Sequence, residues 1–77
     1  MNVERLTAMA NDIANFFHAE SDRQVAIDGV SNHLKKFWEP RMRKQIISHA
    51  QSGQAHELSD LARAGVMRLA ELDAPKG

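Results

Sequence analysis

The segment from Asn32 to Gln45, NHLKKFWEPRMRKQ, carries the side chains best suited to recognising another molecule. It joins two adjacent aromatics, Phe37 and Trp38, to a helix-breaking Pro40, and its five Lys or Arg residues outnumber one Glu. This local excess of positive charge stands in a chain whose ten cations balance ten acids. Large aromatics and arginine are enriched at the energetic centres of protein interfaces. The segment is therefore predicted to be a docking surface.

The cations of this segment differ in what their neighbours provide. Lys35 and Lys36 lie in the last turn of a predicted helix, where the helix dipole favours positive charge. Arg43 follows Glu39 by four residues, a spacing that predicts an ion pair on one helix. Arg41 falls in the first turn of the next helix, where its charge opposes the dipole, and no acid lies three or four residues away. A helix N-terminus carrying Arg41 suits an anion or a carboxylate of another subunit, and we expect the carboxylate; the alternative is an acid of this chain, for instance on helix one or four.

Two aromatic pairs, Phe16-Phe17 and Phe37-Trp38, pose a geometric problem. Successive helical residues point about 100° apart, so both rings of a pair cannot occupy the centre of one buried stripe. Either a broad apolar face accommodates both, or one ring faces a partner. On the second interpretation Phe16 and Trp38 face outward, and replacing Trp38 with Ala should weaken assembly more than it lowers the melting temperature.

Metal binding and catalysis find little support in the sequence. His33 lies on the apolar side of its predicted helix, between Val30 and Phe37, a position typical of a core or edge histidine with one hydrogen bond satisfied. The other three histidines form no His-x-x-x-His pair with it, and there is no cysteine. No glycine-rich phosphate loop, nucleophile elbow or carboxylate pair framed by a base is present. We expect no catalytic, cofactor-binding or metal-binding residue in this chain.

Four helices are predicted to position these residues, giving an all-α fold, a small single-domain bundle. Apolar residues at spacings of three and four predict helix one from about Val3 to Ala19 and helix two from about Asp22 to Trp38. Asn2 is the expected N-cap of the first, and Ser21 with Gln24 has the spacing of a capping box for the second.

The second half of the chain is predicted to hold the other two helices. Helix three begins at Pro40 and stops at Gly53, and helix four follows the polar linker Ser52 to His56. The domain spans residues 1–77, with residues 73–77 predicted to form a flexible tail.

Composition limits the class of protein. A chain of 77 residues with 43% hydrophobic and 26% charged residues can form one modest core, and it has no disulfide to reinforce it. A permanent partner would supply the missing stability. No signal peptide and no apolar run near eighteen residues is visible, which together with the absence of cysteine predicts a cytoplasmic protein.

Three segments form a recognisable pattern: Met9-Ala10-Asn11 running through Ile13-Ala14 to Phe16-Phe17, then Asn32-His33-Leu34, then Phe37-Trp38-Glu39-Pro40-Arg41-Met42-Arg43. This pattern resembles the delta subunit of soluble NAD-dependent formate dehydrogenase. The resemblance covers about Leu6 to Ala70, and the last segment is its most specific part.

The resemblance implies a non-catalytic accessory subunit of an oxidoreductase complex. The partner is then the catalytic alpha subunit, within a complex that also holds beta and gamma subunits. That complex is expected to carry a molybdenum or tungsten pterin, iron–sulfur clusters, FMN and NAD. The delta subunit is expected to support quaternary structure and to assist cofactor loading or retention, without binding membrane or nucleic acid.

Two functional hypotheses are compatible with the sequence. In the first, the chain docks on the alpha subunit through aromatic anchors and orienting cations, with the partner-binding candidates Phe16, His33, Lys36, Phe37, Trp38, Arg41 and Arg43. The alternative is a small helix-turn-helix-like nucleic-acid-binding module whose recognition helix starts at Pro40. Zero net charge and the apolar residues of that helix argue against the alternative.

Overall fold

The computed structural model describes residues 2–73 as four α-helices: α1 (Val3–Phe17), α2 (Arg23–Phe37), α3 (Pro40–Gln51) and α4 (Asp60–Asp73). Those residues include no strand, which confirms the predicted all-α class. Asp73, the first residue of the predicted tail, is helical and is the last residue that the structure describes. Residues 74–77 of that tail lie outside the described residues.

The start of each of the first two helices is fixed by a side-chain cap. The backbone N–H of Glu4 donates to Asn2 Oδ1 at 2.7 Å, as predicted for α1. In α2, however, Asp22 is the N-cap and accepts from Gln24 and Val25 at 3.0 and 3.3 Å. The predicted capping box at Ser21 is therefore wrong by one residue. An Asp cap accepts these bonds as well as Ser does, and its charge also favours a helix N-terminus.

The corner between α2 and α3 forms where the sequence predicts it. Trp38 leaves the helix with extended backbone (φ −90°, ψ 142°), although its N–H still donates to Leu34 O at 2.9 Å. Glu39 is also extended, and Pro40 begins α3. Proline disfavours helical backbone at the preceding residue, which explains the break. Gly53, with φ +79°, ends α3 as predicted.

The core lies where α4 packs across the other helices. Gly65 of α4 allows close contact with α2, because a Cβ atom there would lie 2.3 Å from Val30 Cγ1. The largest fully buried apolar side chains come from all four helices: Leu6, Val30, Leu34, Ile46, Val66 and Leu69. This core holds α1 and α2 side by side and thereby sets the spacing of the aromatic residues between them.

Candidate docking surface

A shallow groove runs between α1 and α2. It encloses about 310 Å³ and is lined by Asp12, Ile13, Phe16 and Phe17 of α1 and by His33 of α2. Most of these side chains are apolar or aromatic. Neither Asp12 nor Ile13 was among the residues predicted for the site, whereas Phe16 and His33 were.

The two phenylalanines of α1 occupy different environments. Phe17 lies against α2 at Gly29, where an added Cβ atom would come within 2.6 Å of its ring. Phe16 is 80% exposed and packs edge-on against Phe17, with ring centroids 5.1 Å apart and planes at 87°. Phe16 therefore faces outward, as the second interpretation of the pair predicts, and its contact with a partner stays a prediction. Phe17 acts as its support, and a mid-helix glycine is the sequence signal for this close approach.

The aromatic surface continues along α2 beyond the groove. The His33 ring lies 4.8 Å from that of Phe37, which is 64% exposed, and the Lys36 ammonium group lies 5.5 Å from the Phe37 centroid. We call the surface formed by Ile13, Phe16, Phe17, His33 and Phe37 the aromatic face.

Trp38 does not belong to this face. Only 6% of its surface is exposed, and its ring is part of the hydrophobic core. The prediction that Trp38 faces outward toward a partner is therefore wrong, and Phe37 is the outward ring of that pair. The reason lies in the helical spacing: Trp38 follows the buried residues Val30 and Leu34 by eight and four positions, and its N–H still donates to Leu34 O, so its ring lies on the buried side of α2.

The Arg43 side chain is also engaged by groups of this chain and is not free on the surface. Its Nε donates to Asp73 Oδ2 at 2.8 Å, and one terminal nitrogen donates to the carbonyl oxygens of Lys35 at 3.1 Å and Trp38 at 2.8 Å. The predicted ion pair with Glu39 is wrong, because Arg43 instead caps the carbonyl end of α2 and binds the end of α4. Because its guanidinium group makes these bonds, Arg43 is not among the cations available to a partner.

Asp73 joins two cations at this corner. Its second oxygen, Oδ1, accepts from Lys35 Nζ at 2.8 Å. The hydrogen bond from Lys35, followed by that from Arg43, lowers the pKa of the Asp73 carboxyl below its usual 3.8, although partial burial acts in the opposite direction. Lys35 thus has an intramolecular partner in addition to the favourable helix dipole. We call Asp73, Arg43 and Lys35 the corner clasp.

Arg41 is placed as the sequence predicts. It is exposed in the first turn of α3, a helix whose N-cap residue, Glu39, makes no side-chain capping bond. Within residues 2–73, no hydrogen bond or ion pair involves the Arg41 side chain. Its partner on another subunit stays a prediction.

Other kinds of site find no basis in the described part of the chain. Residues 2–73 contain no group of three or more acidic or histidine side chains that could hold a metal ion. None of the four described helices has the length and apolarity needed to cross a bilayer. The nucleic-acid alternative loses support, because Arg43 is engaged within the chain and Ile46 of the supposed recognition helix is buried.

Fold and surface together define a small all-helical protein with two exposed phenylalanines, a residue type enriched at protein interfaces, and with a cation beside one of them. Residues 5–66 match the family model described as NADH-dependant formate dehydrogenase delta subunit FdsD. The chain belongs to this family, which confirms the resemblance seen in the sequence. No significant match was found among curated proteins or among solved structures.

Proposed function

We propose that this chain is a non-catalytic accessory subunit that docks on the catalytic alpha subunit of formate dehydrogenase in the cytoplasm. It supports the quaternary structure of the complex and assists cofactor loading or retention there. Membership of the delta-subunit family supports a role within a multisubunit enzyme. The observation that carries the docking role is the aromatic face, which leaves Phe16 and Phe37 80% and 64% exposed.

The energetic argument rests on these two rings. Fully burying one phenylalanine side chain contributes about 1.5–3 kcal/mol, so a partner covering both gains a substantial part of a specific interface. Phe16 is supported edge-on by Phe17, so little of its freedom is lost on binding. Lys36 and Arg41, both exposed, would orient an acidic partner and speed association at low salt.

The same observations support a non-catalytic role. The groove holds one histidine and one carboxylate, His33 and Asp12, and no nucleophile. The sequence has no cysteine to ligate an iron–sulfur cluster. We therefore propose that the molybdenum or tungsten pterin, the iron–sulfur clusters, FMN and NAD of the complex are held by its other subunits.

Capture of the catalytic subunit tests this proposal. The chain, tagged and co-expressed with the alpha, beta and gamma subunits, should retain alpha at physiological salt. Combined replacement of Phe16 and Phe37 with Ala should weaken retention by at least about 2 kcal/mol, or roughly 30-fold in Kd. The matched control is Met67→Ala on α4, a 39% exposed residue outside the groove.

Unchanged retention by the double variant, with the control also unchanged, would contradict docking through the aromatic face. Arg41→Glu supplies a second measurement. It should reduce retention more at low salt than at high salt, since screening already weakens the charge contribution in the parent chain.

A further inference from the structure

We infer that the aromatic face receives one amphipathic helix of the partner subunit, with apolar residues spaced three or four apart and an acidic residue beside Lys36. This inference rests on the proposed function, since it specifies the chemistry of the segment that the alpha subunit presents. Three properties of the face support it: its lack of free backbone groups, its dimensions and its charges.

The backbone of the groove offers no hydrogen bonds to an extended peptide. All five lining residues belong to α1 or α2, where helical bonds engage the main chain. Even at the end of α1, the Phe17 carbonyl accepts from Glu20 N–H at 3.0 Å. An extended segment pressed against this apolar surface would lose the hydration of its own N–H and C=O groups without replacement. A helix satisfies those groups internally.

The dimensions of the face match side chains from a helix. Asp12 and Phe16 are one turn apart on α1, as are His33 and Phe37 on α2, which corresponds to about 6 Å along each axis. Residues at i and i+4 of a bound helix repeat at this same distance. The groove volume of about 310 Å³ is at the lower limit of small-molecule pockets, which favours a few inserted side chains over a large cofactor.

The charges give the bound helix a preferred composition. Lys36 lies over the Phe37 ring, whereas Asp12 lines the groove beside Phe16. Within residues 2–73 neither forms an ion pair. An acidic side chain near Phe37 would therefore meet an available cation, while an acid near Asp12 would be repelled. The second copy of this chain is the competing occupant.

Photo-crosslinking in the whole complex tests the inference. Benzoylphenylalanine replaces Phe16 in one variant, Phe37 in a second and Met67 in a control, and the crosslinked peptides are identified by mass spectrometry. We expect the first two probes to label one alpha-subunit peptide, at positions within about eleven residues of each other, consistent with three helical turns. We expect the control probe not to label it.

The outcomes separate this inference from the proposed function. If alpha co-purifies but the two probes label separate segments, or label a second copy of this chain, the single-helix inference is overturned while docking on alpha stands. If alpha does not co-purify with the parent chain, the proposed function fails first.

Charge reversal gives an independent measurement. Lys36→Glu should weaken alpha binding about fivefold at low salt, the upper range for an exposed ion pair. Lys44→Glu, which reverses an exposed cation on α3, serves as the matched control and should have a smaller effect. Equal losses would overturn the placement of an acidic residue beside Lys36.

Discussion

The aromatic face and the α2–α3 corner contain the same residue types, aromatics beside cations, yet these side chains differ in burial and in ion pairing. At the corner, Trp38 is buried and Arg43 is held by Asp73 and by two carbonyl oxygens. At the face, Phe16 and Phe37 remain exposed. The corner is completed by groups of this chain, whereas the rings of the face are left exposed.

An acid that is distant in the sequence accounts for the difference between the two regions. Asp73, thirty residues after Arg43, supplies the carboxylate that binds both Lys35 and Arg43. No comparable acid reaches Arg41 or Lys36 among residues 2–73. The cations of the corner are therefore paired within the chain, whereas Lys36 beside Phe37 has no ion-pair partner among residues 2–73.

Replacing Trp38 with Ala should have the largest effect on stability. Removing a buried tryptophan costs about 3–5 kcal/mol, a large share of the stability of so small a domain. We expect a cooperative unfolding transition at much lower urea concentration, measured by circular dichroism on the full chain. The burial of Trp38 thus reverses the expectation from the sequence, in which this change acts chiefly on assembly.

Phe37→Ala is the matched control, because Phe37 precedes Trp38 directly but is exposed. It should change the free energy of unfolding by less than about 0.5 kcal/mol. If the two variants were destabilised equally, the assignment of Trp38 to the core and of Phe37 to the exposed face would be contradicted.

Replacing Asp73 with Ala should have an intermediate effect. The variant removes the carboxylate from the corner clasp and leaves Arg43 with only its carbonyl partners. We expect a loss of about 1 kcal/mol near pH 7, because the ion pairs are partly exposed. Urea denaturation of parent and variant measures this difference.

The loss should depend on pH in a defined direction. The folded state lowers the pKa of Asp73 below its usual 3.8, so the carboxylate contributes stability that is fully present above that value. This contribution disappears as the pH falls through the lowered pKa. Parent and variant should therefore differ most at neutral pH and converge in strong acid. A difference that stays constant down to about pH 2 would refute the assigned role of the clasp.

Replacing Gly29 with Ala should have a small net effect on stability and still alter the face. The new Cβ atom would displace the Phe17 ring, now 2.6 Å from that position, while helix propensity favours Ala over Gly by up to about 1 kcal/mol. These effects oppose each other, so we expect a net change within about 1 kcal/mol.

Retention of the alpha subunit should nevertheless fall, because Phe17 supports Phe16. Gly65→Ala is the contrasting variant, since its Cβ atom would meet Val30 in the core and should destabilise the protein by about 1–3 kcal/mol. Full retention of the alpha subunit by the Gly29 variant would show that Phe17 does not contribute to docking.

Much of the fold follows from local patterns. The cap at Asn2, the proline at the α2–α3 corner and the glycine after α3 act within a few residues, so their consequences can be predicted from neighbours alone. The exposed position of Phe16 follows similarly, because the apolar stripe of α1 has no room for a second ring.

The site was predictable only in part. Phe16, His33, Lys36, Phe37 and Arg41 occupy positions open to a partner, whereas Trp38 and Arg43 do not. Phe37 and Trp38 follow the buried Leu34 by three and four residues, so helical spacing admits either ring to the core, and packing of the helices selects Trp38. The contribution of Asp12 was missed because an isolated acid on a helix is ordinarily a solvated residue.

The sequence by itself determined the four helices, the corner between α2 and α3 and membership of the delta-subunit family, because these depend on nearest neighbours and on motif identity. Only the tertiary structure decided which ring of the Phe37-Trp38 pair is buried and which arginine is engaged within the chain. Those outcomes depend on contacts between residues distant in the chain, such as Asp73 with Arg43, and packing of the helices alone brings such residues together.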